Sequence, residues 1–139
     1  MSRPIWVNRS SRQASVRTMN EFLETLKLGM SVVVFPEGTS SDGKHGVLPL
    51  KSTPFESAVV GGYMVNPVLI RYEEDNDGTV CWYGDMTFLP HVWSVLGRRR
   101  ICAHVHILPQ ISSVGLSRKD LAKKTHEMMN VEYTRINSL

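Results

Sequence analysis

A near-continuous apolar run, residues 31–35, leads directly into a loop, residues 36–43, made of Pro, Gly, carboxylate and hydroxyl residues. A strand with both faces covered typically has such a run, so the run predicts a sheet with helices on its faces. Pro36 fixes the angle at which the chain leaves the strand, and Gly38 permits a positive φ. The composition of the loop suits either a surface turn or a polar pocket that cradles an anion, and the residues alone do not decide between them.

The rest of the chain alternates between strand and helix patterns, which predicts an α/β fold with a mixed sheet flanked by helices. Strands are expected at residues 5–7, 31–35, 65–72, 79–83 and 101–108. Helices are expected from Ser10 or Ser11 to Gly29, from Ser52 or Thr53 to Gly61–Gly62, over 89–96, and from Ser117 to about Ile136. Residues 79–83 are expected to form a hairpin with the preceding strand.

Composition bounds the class of protein. The 139 residues are 42% hydrophobic and 21% charged, which suits one packed domain over residues 1–139. The net charge of +3 favours anionic partners without choosing among a lipid headgroup, coenzyme A and nucleic acid. Cys81 and Cys102 are expected to be buried, reduced thiols. The sequence shows no apolar stretch long enough to span a bilayer and no signal peptide.

Three blocks of the sequence carry a family resemblance. Residues 35–40, Phe-Pro-Glu-Gly-Thr-Ser, resemble the Phe-Pro-Glu-Gly-Thr-Arg-Ser block of the 1-acyl-sn-glycerol-3-phosphate acyltransferase family, the glycerolipid acyltransferases. Residues 4–9 resemble the preceding family block, an apolar run ending in Asp-Arg, and residues 65–70 resemble the following block, built around Pro-Val. The blocks occur in the family's order at plausible spacing.

The resemblance implies a glycerol-3-phosphate acyltransferase-like fold and an enzyme of phospholipid biosynthesis. Such an enzyme transfers a fatty acyl group from acyl-CoA or acyl-carrier protein to the free hydroxyl of a lysophospholipid such as 1-acyl-glycerol 3-phosphate. It needs no cofactor or metal besides the acyl donor, and its partners are the lysophospholipid and a membrane surface, not nucleic acid. The expected location is the cytoplasmic face of the membrane, as a peripheral protein or one anchored through upstream segments.

The family's general base lies in an earlier block, in which Asn-His is followed by four residues and Asp. None of the five histidines here has Asp five positions on. We therefore expect an incomplete, amino-terminally truncated domain that supplies the acceptor-binding part, with no catalytic residue assigned. The alternative is a non-catalytic relative that binds a phospholipid or a membrane surface.

The resemblance assigns acceptor binding to Arg9, Glu37, Gly38, Thr39 and Ser40. Arg9 would bind the acceptor's phosphate, since a guanidinium matches phosphate oxygens bidentately; without the resemblance it is an ordinary exposed arginine. Asn8 stands where the family usually has Asp.

Ser40 stands where the family often has Arg, which removes a cation from the loop. Lys44 or Lys51 would replace that charge, or the acceptor differs from lysophosphatidic acid. The continuation of the loop through Gly43 is similar to the acyltransferases that act on lyso-ornithine lipids.

An aromatic and basic segment and a pair of histidines are interpreted from their residue types alone. Residues 88–93 together with the arginines at 98–100 combine apolar, aromatic and cationic side chains. They suit either a membrane interface or a core-packed helix with a solvated basic end, and both remain open. His104 and His106 fall on one face of a predicted strand, where half-buried histidines are expected and a metal site is not.

Overall fold

The structure is a computed structural model that describes residues 5, 12–73 and 80–138, apart from the side chain of Arg12. Within those residues the chain contains four α-helices and four short strands. In chain order these are α1 (Arg12–Lys27), a 3-10 turn (Thr53–Phe55), α2 (Glu56–Gly61), β1 (Met64–Val65), β2 (Val68–Tyr72), α3 (Phe88–Leu96), β3 (Ala103–Ile107), β4 (Ile111–Ser112) and α4 (Arg118–Asn137).

The four predicted helices are confirmed, and their ends follow local chemistry. Gly29 and Gly62 have φ values of 74° and 66° just after α1 and α2, a conformation that glycine adopts without strain. Ser117 caps α4, because its hydroxyl accepts a hydrogen bond from the Asp120 backbone N–H. Pro54 lies at the start of the turn that leads into α2, where its fixed φ is compatible with a helix.

The strands form two separate two-stranded antiparallel sheets, not the single mixed sheet that was expected. β1 pairs with β4, with Val65 opposite Ile111. β2 pairs with β3, with Ile70 opposite Val105. The predicted strand over 65–72 is divided at Pro67, which lacks the N–H that a continuous ladder would need.

Two predicted strands are wrong as far as they are described. Residues 31–35 are irregular and belong to no sheet of the described chain, and Val33 and Phe35 are 82% and 78% exposed. An apolar run becomes a strand only where a neighbour takes its hydrogen bonds. Residues 80–83 are also irregular, because β2 pairs with β3 in place of the expected hairpin. Of the strand expected at 5–7, Ile5 is irregular and the rest lies outside the described residues.

α4 lies at the centre of the core. Leu121 is fully buried and packs in one cluster with Phe55, Ile111 and Ala122. A second cluster joins Met129 of the same helix to residues from the segment after the loop and from the chain after β3, namely Val47 and Leu108. The loop and both sheets are therefore assembled against α4.

Other described features complete the fold. Cys81 and Cys102 are free thiols and are half-buried, where full burial was expected. His106 is half-buried as predicted, whereas His104 is exposed. Across residues 12–73 and 80–138, none of the helices combines the length and the apolar character needed to cross a membrane.

Candidate functional site

The loop of residues 36–43 begins with a tight turn. The Gly38 N–H donates to the Phe35 carbonyl at 3.2 Å, and Gly38 has φ 73°, in the left-handed region that other residues enter only with strain. The Lys51 N–H donates to the Pro36 carbonyl at 2.8 Å. The beginning of the loop is thereby fixed to the chain that leads into α2.

Glu37 is a half-buried carboxylate held against residues 44–50, the irregular segment that follows the loop. Its Oε2 accepts a hydrogen bond from the Leu48 N–H at 3.3 Å. Burial raises the pKa of Glu37, against the opposing effects of the Leu48 N–H and of the nearby His126. A half-buried carboxylate binds a proton more tightly than an exposed one, and its oxygens can accept a hydrogen bond from a hydroxyl or an ammonium group.

A stripe of polar side chains on α4 fixes the end of the loop and the segment that follows it. Asn130 Oδ1 accepts a hydrogen bond from the Val47 N–H at 3.0 Å. His126 Nε2 lies 2.9 Å from the Val47 carbonyl and 2.9 Å from Asn130 Nδ2. The Tyr133 hydroxyl donates to the Gly43 carbonyl at 2.9 Å. We call His126, Asn130 and Tyr133 the α4 stripe.

Two clefts meet at Glu37. The α1 cleft, of about 1320 Å³, lies between α1 and residues 30–39 and also includes Lys51. The α4 cleft, of about 660 Å³, lies between residues 40–47, β2 and the end of α4. Glu37 lines both of them. One carboxylate is therefore presented to an apolar groove on one side and to a more polar pocket on the other.

The other predicted site residues divide between these clefts. Gly38 and Thr39 line the α1 cleft together with Lys51. Ser40 lines the α4 cleft together with Lys44. The two lysines considered as replacements for the missing arginine are thus on different sides of Glu37. Arg9 lies outside the described residues.

Histidine–carboxylate pairs are present, but they lie elsewhere. His104 Nε2 is 2.7 Å from Glu73 Oε1, and His106 Nδ1 is 3.3 Å from Glu132 Oε1. None of these four residues lines either cleft. Among the described residues, no group of three or more His, Cys, Asp and Glu is arranged to hold a metal ion.

Sequence reasoning missed the α4 stripe. His126, Asn130 and Tyr133 are spaced i, i+4, i+7 on a helix whose buried residues follow the same repeat. Polar residues at that spacing on one helix share a face. The signal was therefore present in the sequence, although nothing local indicated that the face contacts a loop more than seventy residues away.

Comparison with known proteins adds an independent finding. A family model described as Acyltransferase matches residues 1–71, just over half of the 139-residue chain. The matched range contains the whole loop and Glu37. No solved structure matches the chain.

Similar proteins have names that agree with this family. Over 123 residues, the chain is 32% identical to a lyso-ornithine lipid O-acyltransferase of Pseudomonas aeruginosa, covering 83% of this chain and 45% of the relative. A protein of the same name from Brucella abortus is 30% identical, with 88% and 52% covered. A 1-acyl-sn-glycerol-3-phosphate acyltransferase of Neisseria meningitidis is 29% identical, with 73% and 40% covered.

The chain spans about half the length of the curated relatives that it matches. The family match, the order of the sequence blocks and these relatives agree with one another. The chain belongs to the acyltransferase family.

Proposed function

We propose that this chain binds the lipid acceptor in an O-acyl transfer reaction of lipid biosynthesis. The observation that carries the proposal is the position of Glu37, a half-buried carboxylate within the family-matched residues where two clefts meet. The relatives' names specify lysolipid acceptors, which have one acyl chain, a polar headgroup and a free hydroxyl. An apolar groove beside a polar pocket has the matching chemistry.

The reaction requires the acceptor's hydroxyl oxygen to attack the carbonyl carbon of an acyl thioester. An ester bond forms, the carbon–sulfur bond breaks, and the hydroxyl proton passes through a base to the departing thiolate. The contribution that we assign to Glu37, Gly38, Thr39 and Ser40 is to bind and orient the acceptor. Positioning alone can supply about 7–11 kcal/mol of barrier reduction in favourable cases. We assign the base to none of the five histidines of this chain, and we propose that Arg9 binds the anionic group of the acceptor, a phosphate or a carboxylate.

We further propose that the acceptor is a lyso-ornithine lipid. Ser40 leaves this loop without the arginine that suits a phosphate, while Glu37 and Asp42 keep it acidic. A carboxylate that accepts hydrogen bonds complements the side-chain ammonium of ornithine better than it complements a phosphate. The donor, acyl-CoA or acyl-carrier protein, is a co-substrate that binds during the reaction at the membrane surface where the acceptor lies.

The experiment measures two quantities for two acceptors, lyso-ornithine lipid and lysophosphatidic acid. One is binding of each acceptor to the 139-residue chain, followed by intrinsic tryptophan fluorescence. The other is transfer of a labelled acyl group from acyl-CoA and from acyl-carrier protein. We compare the wild type with Glu37→Gln and Ser40→Arg, and use Asp120→Asn, on the first turn of α4, as the matched control for removal of a carboxylate.

The proposal predicts that lyso-ornithine lipid binds more tightly, that Glu37→Gln weakens it about tenfold, and that Ser40→Arg shifts the preference toward lysophosphatidic acid. Acceptor binding without transfer is the result that the proposal expects of this chain, because the base is assigned to none of its histidines; transfer by the 139-residue chain alone would contradict that assignment. Equal effects of Glu37→Gln and Asp120→Asn contradict a binding role for Glu37.

A further inference from the structure

α3 presents an apolar stripe to solvent. Leu89, Trp93 and Leu96 are 66%, 72% and 69% exposed. They are spaced i, i+4, i+7, so they lie along one face of the helix. Phe88 at the first turn is 57% exposed as well. Scattered exposed apolar residues are ordinary, but four large ones on one nine-residue helix form a patch that indicates an interaction site.

The helix is positioned by the segment that precedes it and not by the core. The rings of Trp82 and Phe88 meet edge to face, with centroids 5.6 Å apart. The Trp82 indole N–H donates to the Met86 carbonyl at 2.7 Å, and His91 Nε2 lies 3.2 Å from the Val80 carbonyl. These contacts fix α3 without covering its apolar stripe. Contacts between α3 and the other described helices and strands are sparse.

Positive charge lies directly beside the stripe. α3 ends at Leu96, and Arg99 and Arg100 follow within four residues, both of them exposed. Residues 80–102 contain three arginines and a single carboxylate, Asp85. Arg100 also lies near Glu73, whose pKa is lowered chiefly by its hydrogen bond with His104. The surface around α3 is therefore positive overall.

We propose that α3 and the following arginines form a docking surface for an anionic lipid bilayer. Leu89, Trp93 and Leu96 would enter the boundary between headgroups and acyl chains, while Arg99 and Arg100 contact anionic headgroups. Apolar and aromatic residues on one face with adjacent arginines are what such interfacial helices use. A bilayer accounts for both halves of the surface, because it offers an apolar interior directly beneath a layer of anionic headgroups.

The inference does not depend on acyl transfer, because its readout is binding to vesicles. The 139-residue chain is mixed with vesicles of pure phosphatidylcholine and with vesicles that also contain phosphatidylglycerol, and the bound fraction is measured by co-sedimentation. The charge variant is Arg99→Ser with Arg100→Ser. Its matched control is Lys123→Ser with Lys124→Ser, which removes the same charge from exposed positions on α4.

The apolar variant is Trp93→Ser, and its matched control is Val131→Ser, which is equally exposed at 72% on α4. Circular dichroism verifies that each variant is folded. We expect binding to phosphatidylglycerol vesicles that weakens about fivefold for each arginine removed and at least about tenfold for Trp93→Ser. Neither control variant should weaken binding to that extent.

Two results overturn the proposal. One is a loss of binding that is the same for the arginine and lysine variants, because it would reflect net charge alone. The other is an absence of vesicle binding, whether the chain is monomeric or self-associates through the stripe. Sedimentation velocity distinguishes these last two cases, since only a dimer formed through the stripe is broken by Trp93→Ser.

Discussion

Replacing Asn130 by alanine tests how the loop is held. Asn130 Oδ1 is the acceptor for the Val47 N–H, and Val47 is only 8% exposed. The substitution leaves that N–H without its partner in a place where water has little access. It also removes the amide nitrogen that lies 2.9 Å from His126. We therefore expect a loss of stability together with a loosened loop.

The magnitude follows from two opposing contributions. A buried donor left without an acceptor costs about 1–3 kcal/mol. Alanine is a better helix former than asparagine, which offsets up to about 0.7 kcal/mol of that loss. The free energy of unfolding of Asn130→Ala should therefore fall by about 0.3–3 kcal/mol.

Urea denaturation followed by tryptophan fluorescence measures this difference, and amide hydrogen exchange locates it. Asn137→Ala is the matched control, because it changes the same residue type at an exposed position of the same helix. Its free energy of unfolding should change by less than about 0.5 kcal/mol. Exchange at Val47 and Leu48 should accelerate in Asn130→Ala alone. Equal midpoints and equal exchange in the two variants would refute the role of the α4 stripe.

Two further predictions concern the same region. Gly46 and Gly43 have φ values of 94° and 69°, but only at Gly46 would an added Cβ come within 2.9 Å of Asn130 Oδ1. Gly46→Ala should therefore lower the urea midpoint clearly more than Gly43→Ala, and equal losses would contradict the contact. Burial raises the pKa of Glu37, so the folded state loses stability as the pH rises through the ordinary glutamate range. The pKa of Glu132 is lowered by its hydrogen bond with Arg135, so the ionisation of Glu132 has the opposite effect. Relative to wild type, Glu37→Gln should gain stability as the pH rises from about 4 to about 6, whereas Glu132→Gln should lose stability as the pH rises from about 3 to about 5. Slopes of the same sign for the two variants in pH-dependent unfolding would refute this.

The sequence predicts those features that local chemistry determines. α1, α2 and α4 begin and end within a few residues of their predicted limits, since Gly29, Gly62 and Ser117 act on their immediate neighbours. The family-matched loop was also identified from its residues, because Pro36, Glu37 and Gly38 form a distinctive local pattern. The contribution of each of these residues depends on the chain within a few positions of it.

Pairing between distant segments was not predictable in the same way. The run at residues 31–35 has the composition of a buried strand, yet among the described residues no strand pairs with it. β2 pairs with β3, which lies more than thirty residues away, and not with residues 79–83 as expected. An apolar pattern specifies that a segment can be buried, but the partner that buries it is decided by the whole fold.

The site combines these two kinds of information. Glu37 and its neighbours lie inside the family-matched residues 1–71, but the side chains that fix the end of the loop and the segment after it belong to α4, outside that range. The geometry at Glu37 therefore depends both on the family-matched loop and on α4, which carries no family motif. It follows that substitutions in the α4 stripe should alter acceptor binding as well as stability, even though their side chains need not contact the acceptor.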